Sequence, residues 1–528
     1  MTFKSGYLAI LFSVIAITGC GGGGNDESSS GGTKENTQSA VINAINITGE
    51  WAEGETLIAT VNCNECLPSL NKYSWSIDGK NISNTDSYLL TFADLDKKIR
   101  IDVSSNNNLN LIDNAYQIIE REYKSHITNI YANVRAFAAL KSDGSVVTWG
   151  ESSIGGDSAN ITLSNVSKIF SNDGGFAALK NDGSVITWGL LQTSESTNPL
   201  LTDVKEIYST DYAFAALKKN GTVITWGSAD HGGDSSSVIL NNVIHLYSTT
   251  SAFAALKSDG SVVTWGEDNR GGNSSEVTLE NIKAIYATSS AFAAHTTNGS
   301  VITWGGDTFD NSESLIIENV NKVFSNPFAF AFLKTDNSIE TWGPINYGGI
   351  SDDIPLNNTA KVFSTNTAFA ALKADGSVVT WGESSNGGDS SNVTLNNITT
   401  IYSNAFAFAA LKTDGTVITW GESTRGGDSS AVDLTNIVKV YSTIDAFAAL
   451  KTDASIITWG NTNSGSDSST IDPNNIVAIY STNNAFAALK KDWTVVTWGD
   501  SDYGGNSSAV AEMLLPTVNI IIIDTNIP

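Results

Sequence analysis

Cysteine, histidine and methionine are nearly missing from this chain, at three, four and two in 528 residues. That scarcity excludes a disulfide-knit scaffold and a His-rich metal protein. Basic residues are scarce too, with 29 Lys and Arg against 55 Asp and Glu and a formal charge of −26. Phosphate recognition needs a basic stripe, so nucleic acid is not the expected partner. Long apolar runs are also lacking. The run Tyr7 to Ile17 is too short to span a bilayer, and Ile520 to Ile523 is shorter still.

What is present begins with an address. Lys4, the apolar run and Thr18-Gly19-Cys20 read as an export signal over residues 1–20. The segment Ile17-Thr18-Gly19-Cys20 resembles the lipobox of bacterial lipoproteins, and the resemblance implies acylation of Cys20 as the new N-terminus. Gly21 follows where an Asp would imply retention in the inner membrane, so the expected location is the outer membrane, with the surface-exposed chain held by lipid alone. Residues 21–40 are Gly- and Ser-rich without an apolar period. They are expected to form a flexible tether reaching roughly 25 Å.

Residues 41–125 show short alternating apolar stretches, at 44–48, 56–61, 73–77, 88–92, 99–103 and 116–120, which predict a small β-sandwich. Asp78-Gly79 predicts a two-residue hairpin turn. Tyr73 to Gly79, with Trp75 two residues after Tyr73, resembles a segment of bacterial immunoglobulin-like modules, and the resemblance makes Trp75 a core residue. Cys63 and Cys66 lack a second pair to complete a zinc site. In an exported protein they are expected to form a local disulfide; the alternative, a redox pair, wants a βαβ setting this strand-rich region lacks.

From 126 to 528 a repeat dominates. Thr-Trp-Gly recurs with Trp149, Trp188, Trp226, Trp265, Trp304, Trp342, Trp381, Trp420, Trp459 and Trp498, at steps of 38 or 39, and these number the repeats one to ten. Each unit reads as three strands, with Ala-Phe-Ala-Ala-Leu-Lys in the middle, an Asp-Gly or Asn-Gly turn expected to be type I′, and a polar loop after Trp-Gly. The period signals a propeller or solenoid. Middle strands apolar on both faces suit blades sandwiched between neighbours, and one Trp per unit is most simply a packing residue. Repeats six, nine and ten depart at the turn, with Asn337, Ala454 and Trp493 in the glycine position. The last two are expected to be strained.

The motif Ala-Leu-Lys-x-Asp-Gly-Ser-Val-x-x-Trp-Gly, followed by Gly-Gly, resembles the regulator of chromosome condensation repeat, closer in length to the bacterial branch that includes the propeller-type β-lactamase inhibitor protein. The resemblance implies an all-β fold: a large β-propeller of ten repeats after the sandwich. Ten exceeds the usual four to eight blades, so a single ring, seven blades plus three, and an open spiral stay open. The tail 518–523 resembles the start of an eleventh unit and is expected either to pair with the first blade as a closing strand or to cap an open edge. The family's His before Leu is Ala or Phe here, so roles tied to it do not carry over.

No catalytic constellation emerges. His126, His231, His245 and His295 fall at unrelated points of the unit, with no metal-ligand spacing. No catalytic residue, metal or cofactor is expected. Gly-Gly-Asp-Ser-Ser loops bring Asp234, Asp389 and Asp428, and a variant at Gly155 brings Asp157, all read first as turns; calcium is the alternative ligand, although one Asp per loop makes a poor cage. Glu151, Glu267, Asp268, Arg270, Glu383, Glu422 and Arg425, just after Trp-Gly, are the better candidates for recognition, since loops on a rigid scaffold carry binding. The expected function is non-enzymatic binding of an extracellular protein or glycan. Inhibition of a secreted or cell-wall enzyme, and polysaccharide cleavage, are the alternatives.

Overall fold

The structure is a computed structural model that describes residues 41–48, 56–64, 66–90, 94, 98–106, 112–190, 201–306, 315–349 and 356–524. Cys20, the signal and the tether lie outside the described residues, as do part of the 88–92 stretch and the loops after Trp188 and Trp304. The chain divides into two compact units, residues 1–120 with 522–528, and residues 121–521.

In the first unit, Val41–Thr48, Thr56–Asn64 and Ser87–Leu89 form one antiparallel sheet. Lys72–Ile77, Lys80–Ser83, Ile99–Asn106 and Ile112–Ser125 belong to the other. Alternate residues of both, among them Ile45, Leu57, Trp75 and Ile101, share one core. Trp75 is fully buried and its indole donates to the Thr85 carbonyl at 3.0 Å. Asp78 and Gly79 both take positive φ, 50° and 76°, as a type I′ turn requires. Cys63 and Cys66 are joined as a disulfide. The C-terminal strand Thr517–Asp524 is the edge of the second sheet, beside Ile112–Ser125. The tail thus does not join the first blade as a closing strand, the first of the two expected places; an open sheet edge is a ready partner for any extended segment.

The second unit is a β-propeller of ten antiparallel blades, each with its strands in sequence order, for example Val243–Ser248, Ala252–Lys257 and Val262–Gly266. Middle strands are the most buried: Ala252, Phe253, Ala254 and Ala255 have no exposed surface. Each blade packs the same way on the one before. Ile169, Phe176 and Trp188 of blade two lie on Ala136, Ala138 and Leu140 of blade one. Small Ala side chains let the blades approach closely, and larger Phe and Trp fill the wider part of the wedge. First strands of successive blades adjoin and form the inner edge. The tenth blade meets the first as any blade meets its successor: Ile127, Ile130, Phe137 and Trp149 share a core with Ala485, Ala487 and Leu489.

The Asp-Gly turns differ from expectation. Lys141 N–H reaches the Ser145 carbonyl and Gly144 N–H the Lys141 carbonyl, so three residues, not two, turn the chain. Only Gly144 has positive φ, 79°, which makes this a type I turn closed by a glycine bulge. Asp143 serves as a local acceptor for Ser145 N–H and Oγ, at 2.9 and 2.6 Å. Asn337, Ala454 and Trp493 stand at φ 65°, 66° and 68°, the bulge position where glycine is at ease.

Candidate functional site

What repeats is committed to holding blades together. Each described middle-strand Phe lies against its own blade's Trp, as in Phe253 and Trp265, stacked with centroids 5.2 Å apart. The indole of that Trp donates to the first glycine of the preceding blade's Gly-Gly, here Gly232 at 2.9 Å. A Cβ on Gly232 would stand 2.7 Å from the Phe253 ring, and one on Gly233 would stand 2.5 Å from the Gly227 carbonyl. The loops after Trp188 and Trp304 lack the accepting glycine, with Ser194 and Asp310 six residues on from the Trp where the other eight loops have Gly. Accordingly Trp226 and Trp342, the indoles that would use them, have buried N–H groups with no partner among the described residues.

The loop carboxylates are similarly occupied. Asp157, Asp234, Asp389 and Asp428 each accept from the amide two residues on, at 2.8 to 2.9 Å. Those local bonds hold the Asp234, Asp389 and Asp428 carboxyls below the usual carboxylate range. Among the described residues no group of three or more metal-ligating side chains comes together. Glu151 caps its short 3-10 turn through the Ser153 amide, and Glu383 and Glu422 accept from Ser385 and Thr424. Glu267 pairs with Arg270 at 3.7 Å, and Asp268 lines a shallow surface cleft with Asp230 and Asn269.

A second set of loops, not singled out in the sequence, lies on the same end. The connection from first to second strand opens with Asn or Thr in every blade: Asn133, Asn172, Thr210, Thr249, Thr288, Asn326, Thr365, Asn404, Thr443 and Thr482. In eight blades this side chain donates to the last carbonyl of the 3-10 turn after Trp-Gly, as Thr249 does to Arg270 at 3.0 Å and Asn404 to Arg425 at 2.6 Å. The two loops are thereby clamped side by side. The most varied columns of the repeat then pair with each other. Phe328 faces Tyr347 at 4.7 Å, Tyr212 faces His231 at 5.0 Å, and Asn386 donates to Thr367 at 2.8 Å. The Arg425 guanidinium sits 3.9 Å over Phe406 and bonds Asp445 of the next blade at 3.0 Å, while Arg135 of blade one lies 4.7 Å over Tyr503 of blade ten.

Inside this crown the same loops line a cavity of about 510 Å³, walled by Ser, Thr and Asn and by two carboxylates, Asp173 and Asp211. Burial, then the Asp173 charge, pushes Asp211 up to about 6, with Arg270 acting in the opposite sense. Burial also raises Asp173. Around the cavity runs a chain of main-chain bonds from blade to blade, Asp211 to Thr250, Thr250 to Ser289, Asn366 to Ala405, Ile444 to Asn483 and Asn483 to Val134. The other three histidines are engaged elsewhere. His126 lies against Trp493, His245 between Tyr208 and Tyr247, and His295 is buried, its pKa lowered by that burial.

The second-loop residues escaped the sequence reading because they have no consensus. The signal for them was the converse, two columns adjoining invariant ones and differing in nearly every copy.

No family model matches the chain, and no curated protein matches it in sequence. Among solved structures, the chain is similar to Prp20p from Saccharomyces cerevisiae, at 15% identity over 57% of this chain and 83% of that one, with a TM-score of 0.31. A structure of Kap60 bound to yeast RCC1 (Prp20) matches at 15% identity over 74% and 93%, with a TM-score of 0.33. Human WBSCR16 matches at 15% identity over 66% and 92%, with a TM-score of 0.30.

Proposed function

We propose that this chain is a non-enzymatic binding protein, displayed at the outer membrane by acylated Cys20 and a flexible tether, whose ten blades form one ring presenting the loop end to an extracellular protein or glycan. One observation carries the reading: the columns that vary from repeat to repeat pair with each other on one end, while the invariant columns are spent on the blade contacts. The pairing of Arg425 with Phe406 and Asp445 is the fullest instance. A rigid frame with variable aromatic and charged groups at one end is suited to recognition. The ring is supported by the contact of blade ten with blade one, and the sandwich then serves as a spacer. An immunoglobulin-like kinship of that spacer is part of the same proposal.

The test replaces Phe328, Tyr347, Phe406 and Arg425 by Ser in one variant and compares it with the parent on glycan arrays and immobilised extracellular proteins. Loss of a parental interaction with an unchanged melting curve supports the reading. Binding that persists in the variant contradicts it, as does substrate turnover by the purified chain.

A further inference from the structure

The exposed charge of the chain is not evenly spread. Two columns of the first strands, on the inner edge, hold Lys168, Lys205, Lys283, Lys322, Lys361 and Lys439 against a single acid, Glu206, in a chain of net charge −26. All six lysines are exposed. Glu206 is taken up by Lys168 of the blade before it. Among the described residues, Lys322 and Lys361 have no ion-pair partner.

Next to these lysines stands an aromatic column. Two residues on from the second lysine column, every blade has Tyr or Phe: Tyr131, Phe170, Tyr208, Tyr247, Tyr286, Phe324, Phe363, Tyr402, Tyr441 and Tyr480. All ten are part-buried, with an edge left to solvent. Where the contact is seen, the side chain of the second lysine column lies against the aromatic of its own blade, as Lys168 does over Phe170 at 4.5 Å, and it can also reach the aromatic of the blade before. His245 shows this at 4.5 Å from Tyr247 and 5.1 Å from Tyr208. Lys439 lies 4.6 Å over Tyr441 and its charge is felt by Tyr402. Over blades five to nine the order along the inner edge is Tyr286, Lys322, Phe324, Lys361, Phe363, Thr400, Tyr402, Lys439, with no carboxylate in either column.

We infer that this inner belt is a second binding surface, for an acidic oligosaccharide: sugar rings carrying carboxylates. Ammonium groups spaced by aromatic edges offer such a ligand both of its needs, a counter-charge for each acid and an apolar surface for the C–H faces of the rings. A single-stranded nucleic acid carries a similar charge per residue, so it serves as the control for charge without carboxylated sugar rings. The belt uses none of the crown residues, so it stands or falls separately from the proposed function.

The test titrates the full chain with hexagalacturonate, neutral maltohexaose and a single-stranded oligothymidylate, and repeats this with a Lys322→Gln, Lys361→Gln, Lys439→Gln variant and with Phe324→Leu. The expected result is binding of hexagalacturonate alone, weakened at least tenfold in the triple variant and several-fold in Phe324→Leu, and falling with added salt. Because the three lysines are exposed, the triple variant is expected to keep the parent's melting curve. The crown variant is expected to bind hexagalacturonate as the parent does. Failure of the parent to bind hexagalacturonate, unchanged affinity in the triple variant, or oligothymidylate binding as tight as the uronate would each overturn the inference.

Discussion

The indole of Trp149, in the first blade, donates to the carbonyl of Gly504, in the last, at 3.1 Å and across 355 residues of sequence. Seven other blades make the same bond to a glycine 33 residues earlier, so the first and last blades meet by the rule that joins all the rest. In the two remaining blades, those of Trp226 and Trp342, the indole has no such partner among the described residues, and they provide the control.

Trp149→Phe removes a satisfied buried N–H and strands the Gly504 carbonyl, whereas Trp226→Phe removes an N–H with no partner among the described residues. Both lose similar ring volume. The difference between them is therefore the hydrogen bond, and Trp149→Phe is expected to cost about 1–2 kcal/mol more than Trp226→Phe. Urea unfolding of the two variants measures it. Equal losses would mean the bond contributes nothing.

Gly504→Ala places a methyl 2.7 Å from the Phe137 ring at φ +88°, while Gly79→Ala, at φ +76°, meets nothing within 4 Å. The second isolates the backbone cost, about 1 kcal/mol. The first adds a clash in a packed seam and is expected to cost about 2–4 kcal/mol in total. Thermal melts of the pair separate the two contributions.

Ala454 sits at φ 66° in a bulge that glycine fills in seven other blades, so Ala454→Gly is expected to stabilise by about 1 kcal/mol. Trp493 shares the strain, at φ 68°, but its ring packs 4.2 Å from His126 and against the core between blades ten and one. Trp493→Gly is therefore expected to lose stability in spite of the relaxed backbone. Opposite signs in denaturant midpoints would bear this out.

Asp211 binds its proton more tightly in the folded chain, at about 6 against an ordinary 3.8, because of burial and the Asp173 charge. Its contribution to stability is fullest below about pH 4 and is lost as pH rises through 6. Asp211→Asn is thus expected to raise the melting temperature by about a degree or two at pH 7.5, and to give no gain at pH 4. Arg270 and Asp173 face this group, and Asp173→Asn is expected to shrink the difference. A gain that does not change between the two pH values would contradict the assignment.

The ten-fold repeat, the three strands per blade and the fully buried middle strand were legible because each is written ten times. Contacts between repeats were not. The Trp149 indole and the Gly504 carbonyl belong to different copies, and nothing within one unit says which glycine a Trp will meet. Asp143-Gly144 misled for a different reason: the same dipeptide serves a type I′ turn at Asp78-Gly79 and a bulged turn here, and only the number of residues between the paired strands decides. The residues after Trp-Gly, such as Arg425 and Glu267, are legible because they vary beside a fixed motif, whereas Phe406, which faces Arg425, and the pairs Phe328–Tyr347 and Tyr212–His231 have no consensus to mark them. The C-terminal strand resembles the start of a repeat, yet the open edge at Ile112–Ser125 decides its pairing.

Ten blades closing on themselves are what place the loop end and the inner belt on one continuous ring. Ser153 and Asp502 occupy the same exposed point of blades one and ten that Ser385 and Thr424 occupy in blades seven and eight. Spin labels at each pair, on a chain with Cys20→Ser, give two distances by pulsed electron resonance. A closed ring predicts matching distributions for the two pairs. A distance from 153 to 502 well beyond that from 385 to 424 would contradict it and leave an open array.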